Sequence, residues 1–341
     1  MLQFIEHPVG GYHRVVIAED DEGFRAIVAI HSVALGVALG GCRVMPYDTF
    51  EDQMSDALSL AKGMTYKNSL AGLDLGGGKA TINAPLADHE TLKKFADVMD
   101  YINKDELVYI TAGDVGTGPE QVAYLASQTE FVNGQNLGED SGFATAYGVY
   151  MAMLGAVNFT GRDMADVSVA IEGLGKVGSR LADFLHKARS SLRVSDISEE
   201  SEMLAKIGYN AKPYKERSDI LPEIDVYAPC ALGGSADLKC YNEMNRGSII
   251  CGGANNQIPN DTLAVSFFKK GIVTVPDYLA NAGGVIIVSN NYQDLSWKDI
   301  GVYRKLVQIQ HKTFEVLMTA RDEGITPQQV ADKLAEERIN A

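Results

Sequence analysis

One stretch limits the fold more than any other. Val167 to Ile171 is a β-branched, apolar run ending at Glu172, and Gly173-Leu174-Gly175-Lys176-Val177-Gly178 follows at once. Val177, Leu181, Phe184 and Leu185 then recur at helical spacing. Leu192 to Ser195 reads as a second strand, and Asp196 ends it, 18 residues after Gly178. Strand, glycine turn, helix, strand and acidic residue in this order make a βαβ unit, which requires a parallel sheet covered by helices. A GxGxxG alone would say little. In this setting its glycines let backbone amides at a helix N-terminus reach a pyrophosphate. Asp196 is placed to accept hydrogen bonds from a ribose 2′-OH and to repel a 2′-phosphate, so NAD is favoured over NADP, with Arg193 nearby acting the other way.

Further strands are predicted at Asp225–Ala228, Ser248–Cys251 and Ile272–Val275. Each runs into a polar or glycine-rich segment: Pro229-Cys230-Ala231, Gly252-Gly253-Ala254-Asn255-Asn256 and Pro276-Asp277. Strand C-termini of a doubly wound sheet are where ligands bind. Asn281-Ala282-Gly283-Gly284 then opens the apolar stretch Val285 to Val288. A long helix carries Ile300, Leu306, Val307, Phe314, Leu317 and Met318, and Thr326-Pro327 with Gln329 starts a last one.

The first half reads differently. Val15–Ala18 and Phe24–Ile30 flank the acidic turn 19–23 and predict a hairpin. Thr49 with Asp52 marks a helix start, and Phe50, Met54, Ala57, Leu58, Ala61 and Met64 carry that helix forward. Lys67 is expected just past its end. Lys79 follows Gly76, Gly77 and Gly78, which predicts a tight turn at a crowded backbone position. A lysine partly desolvated there is usable as an acid or base near neutral pH; an ordinary solvated lysine beside a turn is the alternative. A second amphipathic helix carries Leu92, Phe95, Ala96, Met99 and Ile102. Val108–Thr111 predicts a short strand leading to Asp114, a position suited to chemistry and equally to a turn or cap.

The 341 residues are long for one core and suit two domains. A net charge of −15 argues against nucleic acid and against an anionic membrane surface as partners. The four cysteines have no CxxC spacing and the histidines form no HExxH, so no disulfide framework and no metal site are expected. The opening MLQFIEHPVGG lacks the pattern of a signal peptide, and a cytoplasmic location is expected.

Ten separated segments, in order, resemble one family. They are LGG at 39–41, KGMTYKN at 62–68, GGGKATI at 76–82, DVGTG at 114–118, TAYGVY at 145–150, GLGKVG at 173–178, YAPCALGG at 227–234, GGANNQ at 252–257, PDYLANAGGV at 276–285 and LAEERI at 334–339. The chain resembles the amino-acid dehydrogenases acting on glutamate, leucine, phenylalanine and valine, and is most similar to their leucine branch. The resemblance implies an α/β protein of two domains separated by a cleft. One is an N-terminal α/β substrate domain over 1–137, with a C-terminal helix 318–341 packing back on it. The other is a Rossmann-type doubly wound NAD domain over 138–317.

It also implies roles. Lys79 would activate water and Asp114 would handle protons at the amino group. Lys67 and Asn281 would hold the substrate carboxylate. Leu39, Gly40, Gly41, Met64, Ala112, Val285 and Val288 would line the substrate side. NAD would meet Gly173, Gly175, Lys176, Val177, Gly178, Asp196, Thr145, Ala228, Pro229, Cys230, Ala254, Asn255 and Asn256. The reaction would be oxidative deamination of an L-amino acid to a 2-oxo acid and ammonia.

Glutamate dehydrogenases carry a lysine and a serine where Leu39 and Val288 stand. Neither of these can neutralise a buried carboxylate, so branched-chain aliphatic substrates are expected and glutamate is disfavoured. Ala112 and Val285 also match the leucine branch. An aromatic substrate, or a regulatory NAD-binding protein without turnover, are the alternatives. The chain departs from the family at Gly113, where glutamate is usual, and at Ile287, where the leucine branch has asparagine. Asn136 to Ala144 lacks the proline-containing loop expected before TAYGVY and bears on the nicotinamide side. The short tail after LAEERI points to a small homo-oligomer, a dimer.

Overall fold

The computed structural model describes residues 1–133, 141–291 and 299–341. Two compact units emerge. The first comprises Met1–Gly138, Val288–Leu295 and Ala335–Ala341, and the second Glu139–Ile287 and Ser296–Leu334. Of residues 318–341, those from Ala335 onward therefore group with the first unit and the rest with the second.

The first unit is a mixed sheet between helices. In chain order it runs β1 (Gln3–Glu6), β2 (Arg14–Glu19), β3 (Arg25–Ser32), β4 (Ala38–Met45), α1 (Phe50–Leu70), β5 (Gly76–Asn83), α2 (His89–Ile102), β6 (Tyr109–Gly113) and α3 (Pro119–Ala126). The sheet order is β1-β2-β3-β5-β4-β6. The predicted hairpin is β2–β3, paired antiparallel from Arg14↔Ile30 to Glu19↔Arg25. Strand alternation assigns the faces. Val16, Val28, Ala80 and Ile82 pack under α2 through Leu92, Phe95 and Met99. Val15, Ile17, Ile27 and Ala29 pack under α1 through Met54, Ala57 and Ala61. Thr49 caps α1 by accepting from the Asp52 amide, as its spacing predicts.

Two expectations need correction here. Lys79 does not sit in a turn: Gly76–Gly78 are strand residues of β5, and none has a left-handed φ. The glycines serve close approach instead. A Cβ on Gly77 would lie 2.1 Å from the Thr65 amide nitrogen of α1, and one on Gly78 would lie 2.8 Å from the Tyr109 ring. Lys67 is not past the helix but in the last turn of α1, which runs on to Leu70. In the same turn Asn68 ties α1 to β5 by donating from Nδ2 to the Gly76 carbonyl at 2.6 Å.

The second unit holds the βαβ element. Its order is α4 (Ser141–Phe159), β7 (Ser168–Glu172), α5 (Gly178–Lys187), β8 (Ser191–Ser195), α6 (Glu199–Tyr209), β9 (Lys212–Pro213), β10 (Val226–Pro229), α7 (Leu238–Glu243), β11 (Ile249–Ile250), α8 (Asp261–Lys270), β12 (Val273–Thr274), α9 (Asp277–Ala280), α10 (Gly283–Asn291), α11 (Ile300–Glu323) and α12 (Pro327–Ile339), with α10 from Val288 and α12 from Ala335 grouped in the first unit. The sheet is ordered β12-β11-β10-β7-β8-β9 with parallel pairing throughout. Numbered from β7, this is the 3-2-1-4-5-6 order of a doubly wound dinucleotide fold, whose switch point lies between β7 and β10. Tyr227, Ile250, Leu263 and Phe267 fill the core on one face. Of the expected loop Asn136 to Ala144, residues 141–144 begin α4 and 136–140 lie outside the described residues.

Candidate active site

The expected reacting pair comes together in the first unit. Lys79 follows Gly78 on β5 and pairs in register with Ala29, so its side chain lies on the α1 face of the sheet. Asp114 lies one residue beyond β6. Lys79 Nζ stands 2.7 Å from Asp114 Oδ2, and the lysine side chain is only 7% exposed. A lysine this buried is held in place by its partner, which excludes the solvated-lysine reading.

Asp114 is further fixed by its loop: its amide donates to Thr117 Oγ1 at 2.8 Å, and that hydroxyl donates to the Cys42 carbonyl at 2.6 Å. Burial works to raise the Asp114 carboxyl, but Lys79 and then Arg43 more than offset this and hold it below the usual carboxylate range. Arg43 Nε donates to the same Oδ2 at 3.1 Å, while its Nη1 donates to Asp56 at 3.0 and 3.1 Å. Tyr47 donates to Asp56 Oδ2 at 2.7 Å, and burial followed by that bond pushes its phenol up.

The other first-unit candidates lie on β4, β6, α1 and α10. Gly40 and Gly41 sit on β4; a Cβ on Gly41 would fall 2.8 Å from Asp114 Cβ, and one on Gly40 would fall 1.7 Å from the Gly78 carbonyl and 3.4 Å from Met64. Tyr109 donates to the Gly40 carbonyl at 2.9 Å. Leu39 is buried and pairs with Gly77, and Ala112 pairs with Gly41. Val288 is half-buried in α10, and its carbonyl accepts from Asn133 Nδ2 at 2.7 Å.

The second unit gathers the cofactor candidates at the ends of β7, β8, β10 and β11. Gly173 has φ +96°, and a Cβ on Gly178 would fall 1.8 Å from the Gly173 carbonyl, so both positions require glycine. A Cβ on Gly175 meets nothing within 4 Å, which leaves open space over the turn. Val177 precedes α5 without a side-chain cap, the Ser179 amide donates to the Gly175 carbonyl at 3.1 Å, and Lys176 is exposed beside this first turn. Asp196 Oδ2 accepts from the Leu174 amide at 2.5 Å and Oδ1 from the Ser198 amide at 2.8 Å. The acid expected at a ribose therefore also braces the glycine turn. This arrangement fits a dinucleotide pyrophosphate.

Around it, Cys230 donates its amide to Glu172 at 2.7 Å, and burial pushes its thiol up to about 12. Ala228 is buried in β10, and the Pro229 carbonyl accepts from the Ala254 amide at 3.0 Å. The Asn256 amide donates to Asp277 at 2.8 Å. Asn281 donates from Nδ2 to Asn255 Oδ1 at 2.7 Å and to the Gly253 carbonyl at 3.3 Å. Its donor is thus committed within the second unit. Thr145 donates to the Ser141 carbonyl at 2.8 Å and packs on Gly284, whose added Cβ would fall 2.7 Å from its hydroxyl. Val285 is buried in α10.

No local motif marks Arg43, Asp56 or Tyr47. The available signal was the arginine two residues after Gly41. Among the described residues no cluster of His, Cys, Asp or Glu suits a metal ion, and no helix is long and apolar enough to cross a membrane.

Residues 12–131 match the model of a Glu/Leu/Phe/Val dehydrogenase dimerisation domain, and residues 191–340 match that of the Glutamate/Leucine/Phenylalanine/Valine dehydrogenases. The chain is 36% identical over 335 residues to leucine dehydrogenase of Bacillus cereus, covering 96% of this chain and 91% of that protein. It is 34% identical over 343 residues to valine dehydrogenase of Streptomyces albus, covering 97% and 93%. The crystal structure of L-tryptophan dehydrogenase from Nostoc punctiforme superposes with a TM-score of 0.85 at 32% identity, covering 97% of this chain and 96% of that one.

Proposed function

The chain belongs to the Glu/Leu/Phe/Val dehydrogenase family and is an amino-acid dehydrogenase, and from that premise we propose that it oxidatively deaminates branched-chain aliphatic L-amino acids with NAD. The observation that carries this reading is the buried Lys79 Nζ held 2.7 Å from Asp114 Oδ2. The overall change converts amino acid, NAD and water to 2-oxo acid, ammonia, NADH and a proton. A nicotinamide dinucleotide, bound at the Gly173–Gly178 turn, supplies the acceptor for the hydride from the substrate Cα.

The residues of the chain position groups and move protons. Lys67, in the last turn of α1, is the proposed cation for the substrate carboxylate. Lys79 Nζ, once its ammonium has lost a proton to solvent, takes a proton from the water that attacks the substrate imine carbon. Asp114 Oδ2, ionised, then takes the proton from the hydroxyl of the water adduct and gives it to the amino group, which leaves as ammonia. A positioned general acid or base of this kind contributes about 10²–10⁴-fold. Asp196, already fixed on the turn, selects a free 2′-OH over a 2′-phosphate.

Leu39, buried at 2% exposure, supplies no counter-charge for a side-chain carboxylate, and burying one unpaired costs several kcal/mol, so glutamate is rejected. An aromatic substrate is the second reading, favoured by the likeness to the tryptophan dehydrogenase. A homodimer is the proposed assembly and a cytoplasmic location the proposed setting. Initial rates with leucine, isoleucine, valine, phenylalanine, tryptophan and glutamate, each with NAD and NADP, test all of this. The aliphatic trio with NAD should lead and differ among themselves by no more than about 100-fold. Fast glutamate turnover refutes the pocket argument, and a lead by tryptophan or phenylalanine selects the second reading.

A further inference from the structure

Arg43 has no part in the scheme above, yet it touches the reacting pair. It lies on β4, where Cys42 and Val44 point into the core under α2 and Arg43 takes the opposite face. Its side chain is 20% exposed and is shared between two carboxylates: Nε donates to Asp114 Oδ2 and Nη1 to both oxygens of Asp56. Tyr47 in turn donates to Asp56 at 2.7 Å. The run Tyr47–Asp56–Arg43–Asp114–Lys79 is continuous, and Arg43 and Lys79 meet on one oxygen.

We propose that Arg43 is a positioning residue that keeps Asp114 ionised and aimed while Lys79 releases it to work on water, with Asp56 and Tyr47 setting how strongly Arg43 acts. The inference rests on the reading of Lys79 and Asp114 as the reacting pair. An amine that exchanges protons with water cannot also be the permanent counter-ion of a half-buried carboxylate. Whenever it turns away, the carboxylate is left as an anion in poor solvent and is driven to take up a proton. A guanidinium does not exchange its charge and holds its donors in a fixed plane. Asp56 limits it, since a second carboxylate on the same cation draws part of its field. Among the described residues, Cys42 on β4 and Tyr109 on β6 also feel the Asp114 charge from the core under α2, and burial pushes both upward, so they stay neutral at working pH.

The test follows the Asp114 carboxyl by ¹³C NMR in aspartate-labelled protein, with Asp114→Asn to assign the signal, alongside pH profiles of kcat. In Arg43→Gln the carboxyl takes its proton at higher pH than in the native chain, and the acid limb of kcat moves up with it. In Asp56→Asn both move down. In Arg43→Lys the charge remains, so the titration stays near native while kcat falls about tenfold because one ammonium cannot span both carboxylates. Opposite shifts from the two sides of Arg43 are not what general loosening produces, and NADH affinity should stay unchanged in all three. A native titration in Arg43→Gln, or shifts of one sign in Arg43→Gln and Asp56→Asn, overturns the proposal. A native chain that turns over no amino acid refutes the functional reading instead, and the NMR series still decides the role of Arg43.

Discussion

Gly77→Ala is the sharpest probe of how the site is held. The added Cβ would fall 2.1 Å from the Thr65 amide nitrogen, 2.3 Å from its hydroxyl and 2.5 Å from its Cα. These are atoms of a fully buried residue inside a 21-residue helix, not the far end of a side chain. Ordinary contact needs about 3.5 Å, so α1 and β5 must part by more than ~1 Å. Overpacking of this kind costs about 3 kcal/mol, which for a unit of this size lowers Tm by roughly 6–12 °C. Lys79 is two residues along the same strand, and a displacement near 1 Å lowers kcat by about 100-fold. Gly63 provides the control. It is exposed on α1, and a Cβ there meets nothing within 4 Å, so Gly63→Ala should stabilise by about 0.5–1 kcal/mol. Thermal melts and steady-state rates of both variants decide the matter. A Gly77→Ala protein with native Tm and native kcat would refute the claim that these glycines exist to let α1 approach β5.

Two further outcomes are expected. Asp114→Asn leaves Lys79 and Arg43 facing a neutral amide; it should cost about 2–3 kcal/mol and at least ~100-fold in kcat, read by urea unfolding and by initial rates. Acid should destabilise the first unit. Asp20 is drawn down by its bond to Lys94, and Asp114 is drawn down by Lys79 and Arg43 against its burial. A carboxyl lowered on folding stabilises the native state fully above its unfolded value of 3.8, and that contribution is lost as pH falls through the lower folded values. Urea midpoints should therefore hold near neutrality and fall steeply below the ordinary carboxylate range; a midpoint indifferent to pH there would contradict both ion pairs.

Local signals carried much of this into the sequence. The glycine turn with its flanking strands, the β2–β3 hairpin and the Thr49 cap each depend on residues within a few positions of one another, and each is present. The three glycines before Lys79 signal a turn when only neighbours are considered. Their purpose is set by Thr65 and Tyr109, 12 and 31 positions away, which no local pattern reveals. Arg43 escaped for the same reason: its partners Asp56 and Asp114 stand 13 and 71 positions off, on a helix and beyond a different strand. The second role of Asp196, bracing the Leu174 amide, is likewise visible only once β7 and β8 are paired.

The central claim is that the Lys79 amine performs the chemistry beside Asp114. The direct measurement is amino-acid-dependent NADH formation by Lys79→Ala, with NADH binding followed by fluorescence in the same samples. Turnover should fall by about 1,000-fold or more while NADH affinity stays within about twofold, because Lys79 belongs to the first unit and the glycine turn to the second. A Lys79→Ala protein that deaminates at the native rate would contradict the account.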